Sequence, residues 1–459
     1  MKKILLAVAC CAMTLLAQAN PAHKVKINDG LTVSVEACSE SIFRIKVSPR
    51  KDFTESLMER YELIKTDWSD VKTDISDKGG VWTLKTSEYS LAINKKTGVM
   101  TVKDAKGGKV IREVRFLPEK EGLCGEMRSF INEKYADLKV ADNGGGIIGD
   151  DNGKFGEVDK HEIPAADAVS ILSISMEDGE RFYGGGSTSR DHIQHRGEFL
   201  RMWTTYQQTE IPMPFMMSSR GWGVYNNSTR KSFFDIGNQQ KSKFNIINTF
   251  DEADFYLMMG KDMPAILNEY TLVTGRTYVL PKWAYGLCFG PNMREEQFDI
   301  LNDAVRFRQF DVPCDVFWLE PQWMEKRYDF STKKKWNYDR FSPEPYWLQD
   351  QYPKTMHNRL FIGKLRSMGF HLGLWLCEEY DLSIQEEDII AERTGGKLSG
   401  QEHWMDHLTV FMDQGVEGFK LDPARTIDNH TNWEYYNGRT DKETVSYTHL
   451  RAHETSLHL

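Results

Sequence analysis

Concentrated positive charge is missing from this 459-residue chain, whose formal net charge is −9. Nucleic acid is therefore not an expected partner, because a phosphate backbone is held by clustered Lys and Arg. Long apolar runs are also scarce, and the mean hydropathy is −0.53. The one sustained run, Ile4 to Leu16, is too short to cross a bilayer as a helix, so no transmembrane span is expected. Cys38, Cys124, Cys288, Cys314 and Cys377 remain once Cys10 and Cys11, inside that run, are set aside. An odd set lying largely in apolar, strand-like stretches points to buried thiols rather than a disulfide framework. Two further signatures are incomplete. The stretch FYGGGSTS, Phe182 to Ser189, lacks the Gly-Lys-Ser/Thr ending of a phosphate loop, which leaves a tight backbone turn. The Gly- and Asp-rich interval from Asp142 to Glu157 has no EF-hand spacing and reads as a solvated loop.

What is present begins with a leader. Lys2 and Lys3, the apolar run and Ala17-Gln18-Ala19 form a secretory signal peptide over residues 1–19, so a periplasmic or extracellular product is expected. The rest, at 40% hydrophobic and 27% charged, has the composition of a globular protein long enough for two or three domains. Twelve Trp are available either to stack on sugar rings or to fill large sheets.

Two grammars divide the remainder. Over residues 20–280 short alternating runs are broken by turn residues. Tyr89 to Val114 reads as three antiparallel strands joined at Lys-Thr-Gly and Gly-Gly turns. After Pro281, continuous apolar runs alternate with helical spacing: Trp283 to Gly290, then Phe298, Leu301 and Val305; Cys314 to Glu320, then Phe361, Leu365 and Met368; His371 to Glu379, then Trp404, Leu408 and Phe411; finally Gly418 to Asp422. Strands buried on both faces and alternating with helices make a parallel βα array.

Three of these strands end in an acid: Glu320, then Glu378 or Glu379, then Asp422. An ionised carboxylate next to Phe419 and Leu421 is costly unless it has a partner or a task. Convergence of acids at the carboxyl ends of parallel strands is the arrangement of a (β/α)8 barrel active site. Separate solvated acids in βα loops are the competing account.

Several stretches resemble glycoside hydrolase family 31. They are ERFYGGG at Glu180 to Gly186, HRGEFLRMW at His195 to Trp203, IPMPFMMSSRGWGVYNN at Ile211 to Asn227, DVPCDVFWLEPQWMEKRYDFS at Asp311 to Ser331, WNYDRFSPEPYW and GVEGFKLD. The resemblance implies an N-terminal antiparallel β-sandwich over 20–280 and the first four βα units of a (β/α)8 TIM barrel over 281–444. It implies a retaining, exo-acting α-glycosidase that releases a terminal α-linked sugar from an oligo- or polysaccharide, with no metal or organic cofactor. Asp422 takes the nucleophile's role, Glu320 replaces the usual Asp that binds sugar hydroxyls, and Glu379 and Lys420 join the substrate contacts. Trp318 and Trp323 are candidate stacking walls, with core packing an equal alternative for Trp318.

Two departures qualify this picture. Asp422-Pro423-Ala424-Arg425 stands where the family commonly has an acid soon after the nucleophile. Arg425 either recognises an anionic sugar, since a guanidinium fits a carboxylate or sulfate in bidentate fashion, or pairs with a neighbouring Asp. Only four βα units are readable, so the family's general acid/base, an Asp on a later strand, has no counterpart here. The segment 445–459 follows no barrel pattern and resembles a translated adapter read-through, so its His449, His453 and His458 are set aside. Two function classes follow: an α-glycosidase, or a non-catalytic fragment or carbohydrate-binding protein lacking the acid.

Overall fold

The structure is a computed structural model that describes residues 21–27, 30–118, 122–135, 170–187, 192–202, 211–291, 296–327, 329, 331–342, 361–376, 382–400 and 406–421. Within this description the chain forms two compact units, divided between Gly275 and Arg276 in the main.

The first unit contains two antiparallel sheets. The seven-stranded sheet runs, in spatial order, His23–Lys26, Thr32–Ala37, Ile42–Ser48, Ala253–Met259, Trp222–Asn226, Ile211–Ser218 and Phe182–Ser187. The nine-stranded sheet runs Phe199–Met202, Ser232–Ile236, Lys243–Asn248, Ser170–Ser175, Lys109–Pro118, Met100–Asp104, Tyr89–Asn94, Val81–Lys85 and Asp74–Lys78. Alternation aims one row of each strand at a shared core, including Val33, Ile45, Leu257 and Val224 from one sheet and Leu91, Leu172, Phe244 and Ile246 from the other. The opposite faces are covered by helices. Met263–Thr274, capped by Asp262 at 2.9 Å from Ala265 N, lays Tyr270 flat on Phe215 at 4.0 Å between ring centroids. Gly122–Tyr135 reaches Phe199 through Phe130 at 4.9 Å.

The expected meander of three strands from Tyr89 to Val114 is present, the last one continuing to Pro118. The glycines of Phe182 to Ser189 differ from expectation. They lie within an edge strand whose register shifts between Gly184 and Gly186, so a β-bulge replaces the tight turn.

The second unit holds a four-stranded parallel sheet in sequential order: Cys288–Phe289, Val316–Leu319, His371–Leu376 and Gly418–Leu421. Helices Gln297–Gln309, Phe361–Ser367, Leu382–Thr394 and Thr409–Gln414 alternate with them. The apolar stretch from Trp283 is mostly not strand. Lys282–Tyr285 is a 3-10 turn, and pairing begins only at Cys288. The first helix also differs: Ile300 and Ala304 are its buried face, whereas Phe298 is 68% exposed. The helical period was legible there and Leu301 packs against the core, but Phe298 and Val305 face outward. Among the described residues, Cys38, Cys124 and Cys314 are buried thiols and Cys288 is an exposed one, none of them in a disulfide. No helix among the described residues is long and apolar enough to cross a membrane.

Candidate active site

Along the second parallel strand, Phe317 and Leu319 enter the core shared with the helices, and alternation turns Trp318 to the other face. Register sets Trp318 beside Gly373, and Gly373 beside Gly418. The indole lies across both glycines. A Cβ on Gly373 would collide with its Cε3 and Cζ3 atoms, and one on Gly418 would stand 2.9 Å from Cη2.

Two residues further toward the carboxyl end, Glu320 and Lys420 return to that face and meet. Lys420 Nζ donates to Glu320 Oε1 at 3.1 Å. Their side chains are 19% and 48% exposed. A pair this open contributes at most about 1 kcal/mol to stability, so its consequence is placement: the carboxylate is aimed while keeping access to solvent.

The amino ends of the same strands use their charge differently. Glu417 accepts from Arg366 Nη2 at 2.9 Å and also bonds His371 Nδ1, and the His371 ring stacks on Trp283 at 4.1 Å. That carboxylate is consumed by contacts that fasten loops and strands. An open carboxylate and ammonium at the carboxyl ends, with fastened charge at the amino ends, is the polarity of a βα-barrel active face.

Trp323 is placed elsewhere than the stacking wall expected of it. The 3-10 turn Pro321–Trp323 folds the chain back, and the indole is wholly buried against Trp336 and Phe411, with Nε1 donating to the Trp375 carbonyl at 2.8 Å. No face of this ring is left for a sugar. Asp422, Arg425, Glu378 and Glu379 lie outside the described residues. Gly373 and Gly418 are site residues that the sequence reading missed; glycine inside HLGLWL and at the start of GFKL was the available signal, since strand glycines mark close approach. Among the described residues no group of His, Cys, Asp and Glu is arranged to hold a metal ion.

The sandwich motifs are structural fasteners. Glu180, 1% exposed, accepts from Trp222 Nε1 at 2.8 Å, from Glu177 N at 2.6 Å and from Ser218 Oγ, tying ERFYGGG to the SSRGW stretch. Arg196 donates to the Glu177 and Glu180 carbonyls at 2.7 and 2.9 Å. His195 bonds the Gly184 carbonyl at 3.1 Å, and burial holds its imidazole below the ordinary pKa.

An antiparallel two-sheet unit is thus followed in the chain by a parallel βα sheet with a charged pair at the carboxyl ends of its strands. Residues 32–235 match the glycosyl hydrolase 31 N-terminal galactose mutarotase-like domain, and residues 277–456 match the family 31 TIM-barrel domain. The chain belongs to glycosyl hydrolase family 31. Among curated relatives it is similar to an α-xylosidase of Emericella nidulans, 22% identical over 335 residues that make up 66% of this chain and 40% of the relative. It is also 23% identical over 311 residues to the α-xylosidase XylQ of Lactiplantibacillus pentosus, covering 61% of this chain and 38% of that one. Among solved structures, a Flavobacterium johnsoniae family 31 dextranase complexed with isomaltotriose superposes with a TM-score of 0.62 at 17% identity, covering 95% of this chain and 53% of that one. A soil-metagenome family 31 α-xylosidase complexed with xylose gives a TM-score of 0.62 at 15% identity, over 95% of this chain and 62% of that one. The chain thus spans about two fifths of the length of these curated relatives.

Proposed function

We propose that the polypeptide carrying this chain is a retaining, exo-acting α-glycosidase releasing a terminal α-linked sugar from an oligo- or polysaccharide. The observation that carries the reading is the meeting of Glu320 and Lys420 on the carboxyl face of the parallel sheet, two residues ahead of Asp422 in sequence. In this reading Asp422 attacks the anomeric carbon, and water then hydrolyses the covalent glycosyl-enzyme with net retention. Glu320 accepts hydrogen bonds from sugar hydroxyls, held in place by Lys420, and Glu379 is assigned to the substrate contacts. Arg425 meets either an anionic substituent or a neighbouring carboxylate. The acid/base is assigned to no residue of this chain and belongs on a later barrel strand. Export through the 1–19 leader is part of the same proposal, with a mature protein starting at Asn20. Relatives named α-xylosidase and α-glucosidase support the reaction class.

The test is the Asp422→Ala variant of the full-length polypeptide assayed on nitrophenyl α-glycosides. Loss of at least about 10³-fold in kcat with substrate binding retained is expected, because the covalent step disappears while the pocket stays. Added azide should restore part of the turnover as a glycosyl azide. Activity within about tenfold of wild type would move the nucleophile elsewhere, with Glu379 next in line.

A further inference from the structure

Neither Gly373 nor Gly418 has a positive φ, so the backbone conformation does not call for glycine at either position. Glycine inside a strand costs conformational entropy, and something must offset that cost. What occupies the space is the Trp318 indole, lying across both residues. The ring is one side-chain layer below Glu320, because residues two apart on a strand share a face. Layered upward on this face are the Trp318 indole and then, at one level, Glu320, Trp375 and Lys420; Asp422 follows Lys420 by two residues in the sequence.

In an exo-acting enzyme the anomeric carbon faces the mouth, where the leaving group departs, so the sugar's C4 and the substituent on C5 point to the bottom. We propose that Trp318 is the floor of the sugar pocket and that Gly373 and Gly418 set its depth, so that this lane decides how large a C5 substituent is accepted. The inference rests on the α-glycosidase reading. It adds a specificity role for two residues with no chemistry of their own: a methyl group on either glycine lifts the ring toward the bound sugar. Hexopyranosides carry a hydroxymethyl group at C5 and pentopyranosides carry none, so the pair measures pocket depth.

The experiment compares 4-nitrophenyl α-D-glucopyranoside with 4-nitrophenyl α-D-xylopyranoside in the full-length polypeptide. Gly373→Ala is expected to lower the glucoside-to-xyloside ratio of kcat/KM about tenfold, and Gly418→Ala to lower it by less, the range one methylene commands in a pocket. Trp318→Phe alone lowers the floor and should raise the ratio about threefold, and in the Gly373→Ala background it should bring the ratio back toward wild type. Dissociation constants of the two methyl glycosides, measured on Asp422→Ala, read the same preference without turnover. A ratio that stays within about twofold in folded Gly418→Ala and Trp318→Phe proteins overturns the inference, because a ring that merely fills the barrel alters stability without sorting sugars. Absence of turnover on any α-glycoside by the wild type defeats the α-glycosidase reading instead, and the dissociation constants still decide the floor.

Discussion

Glu180 in the sandwich and Glu320 in the parallel unit are both carboxylates held by hydrogen bonds, yet they are held in opposite ways. Glu180 is buried and receives three donors from its own unit. Glu320 stays partly open, and Lys420, which holds it, is itself half in water. A carboxylate whose lone pairs are filled by the fold is a fastener. One with capacity left can exchange a partner for a sugar hydroxyl at small cost. Family motifs fall in both regions, so a motif residue need not touch substrate, and the number and burial of its donors separates the two cases.

The largest expected effect breaks the fastener. Glu180→Ala leaves the buried Trp222 and Ser218 donors and the Glu177 N–H unsatisfied, at about 3–5 kcal/mol in total. In a domain of this size the thermal midpoint should fall by roughly 10 °C, read by calorimetry. The activity of the molecules that remain folded should not change. A cost below about 1 kcal/mol would mean that the knot does not hold the sandwich.

Glu320→Gln tests the other side. It removes charge from the bond to Lys420 and, on the proposed α-glycosidase reading, from the sugar contact, worth about 2–3 kcal/mol in the transition state, or roughly a hundredfold in kcat/KM. Stability should change by less than about 1 kcal/mol, because the pair is open. An unfolding midpoint that drops while kcat/KM holds would place Glu320 with the fasteners.

The strand pattern was readable wherever local chemistry dictated it. From Tyr89 to Val114, alternation and glycine turns were enough, and the apolar runs at Val316–Leu319 and His371–Leu376 announced buried parallel strands. Pairings between distant residues were not readable. Glu320 and Lys420 are a hundred residues apart, and only register brings them to one level. The same limit hid the contact of Trp318 with Gly373 and Gly418. Trp323 was misplaced because an indole's sequence position does not tell whether the turn carrying it bends toward the sheet face or back into the core. Its variant sharpens the comparison at intermediate size: Trp323→Phe loses the bond to the Trp375 carbonyl and some volume, about 1–2 kcal/mol by denaturant titration, with sugar preference unmoved. A shift in that preference at unchanged stability would return Trp323 to the pocket wall.

The smallest effect separates two carboxylates within the sandwich. Arg44, buried, forks to Asp254 at 2.7 Å and to Glu59 at 2.8 Å, and Lys46 adds a third contact to Glu59 at 3.2 Å. Burial alone would raise the Glu59 pKa, but the hydrogen bonds and charge of Arg44 and Lys46 outweigh it and hold the group below the ordinary value. For neighbouring Glu36 burial wins, and its carboxyl titrates above the ordinary value. The two therefore act on stability with opposite sign. Ionised Glu59 favours the folded state above the pH at which it titrates in the unfolded chain, and that contribution is lost as pH falls through its lower folded-state value. Glu36 contributes most below its unfolded-state value and loses this as pH rises through its higher folded-state value. At pH 7, Glu59→Gln should destabilise the protein by about 1 kcal/mol and Glu36→Gln should stabilise it by less than that. Each difference should shrink as pH falls and the carboxyl becomes protonated in the folded state, the raised Glu36 before the lowered Glu59, followed by urea midpoints across the acid range. Same-signed changes at pH 7 would show that Arg44 treats both carboxylates alike, and that burial does not divide fasteners from open groups even inside the sandwich.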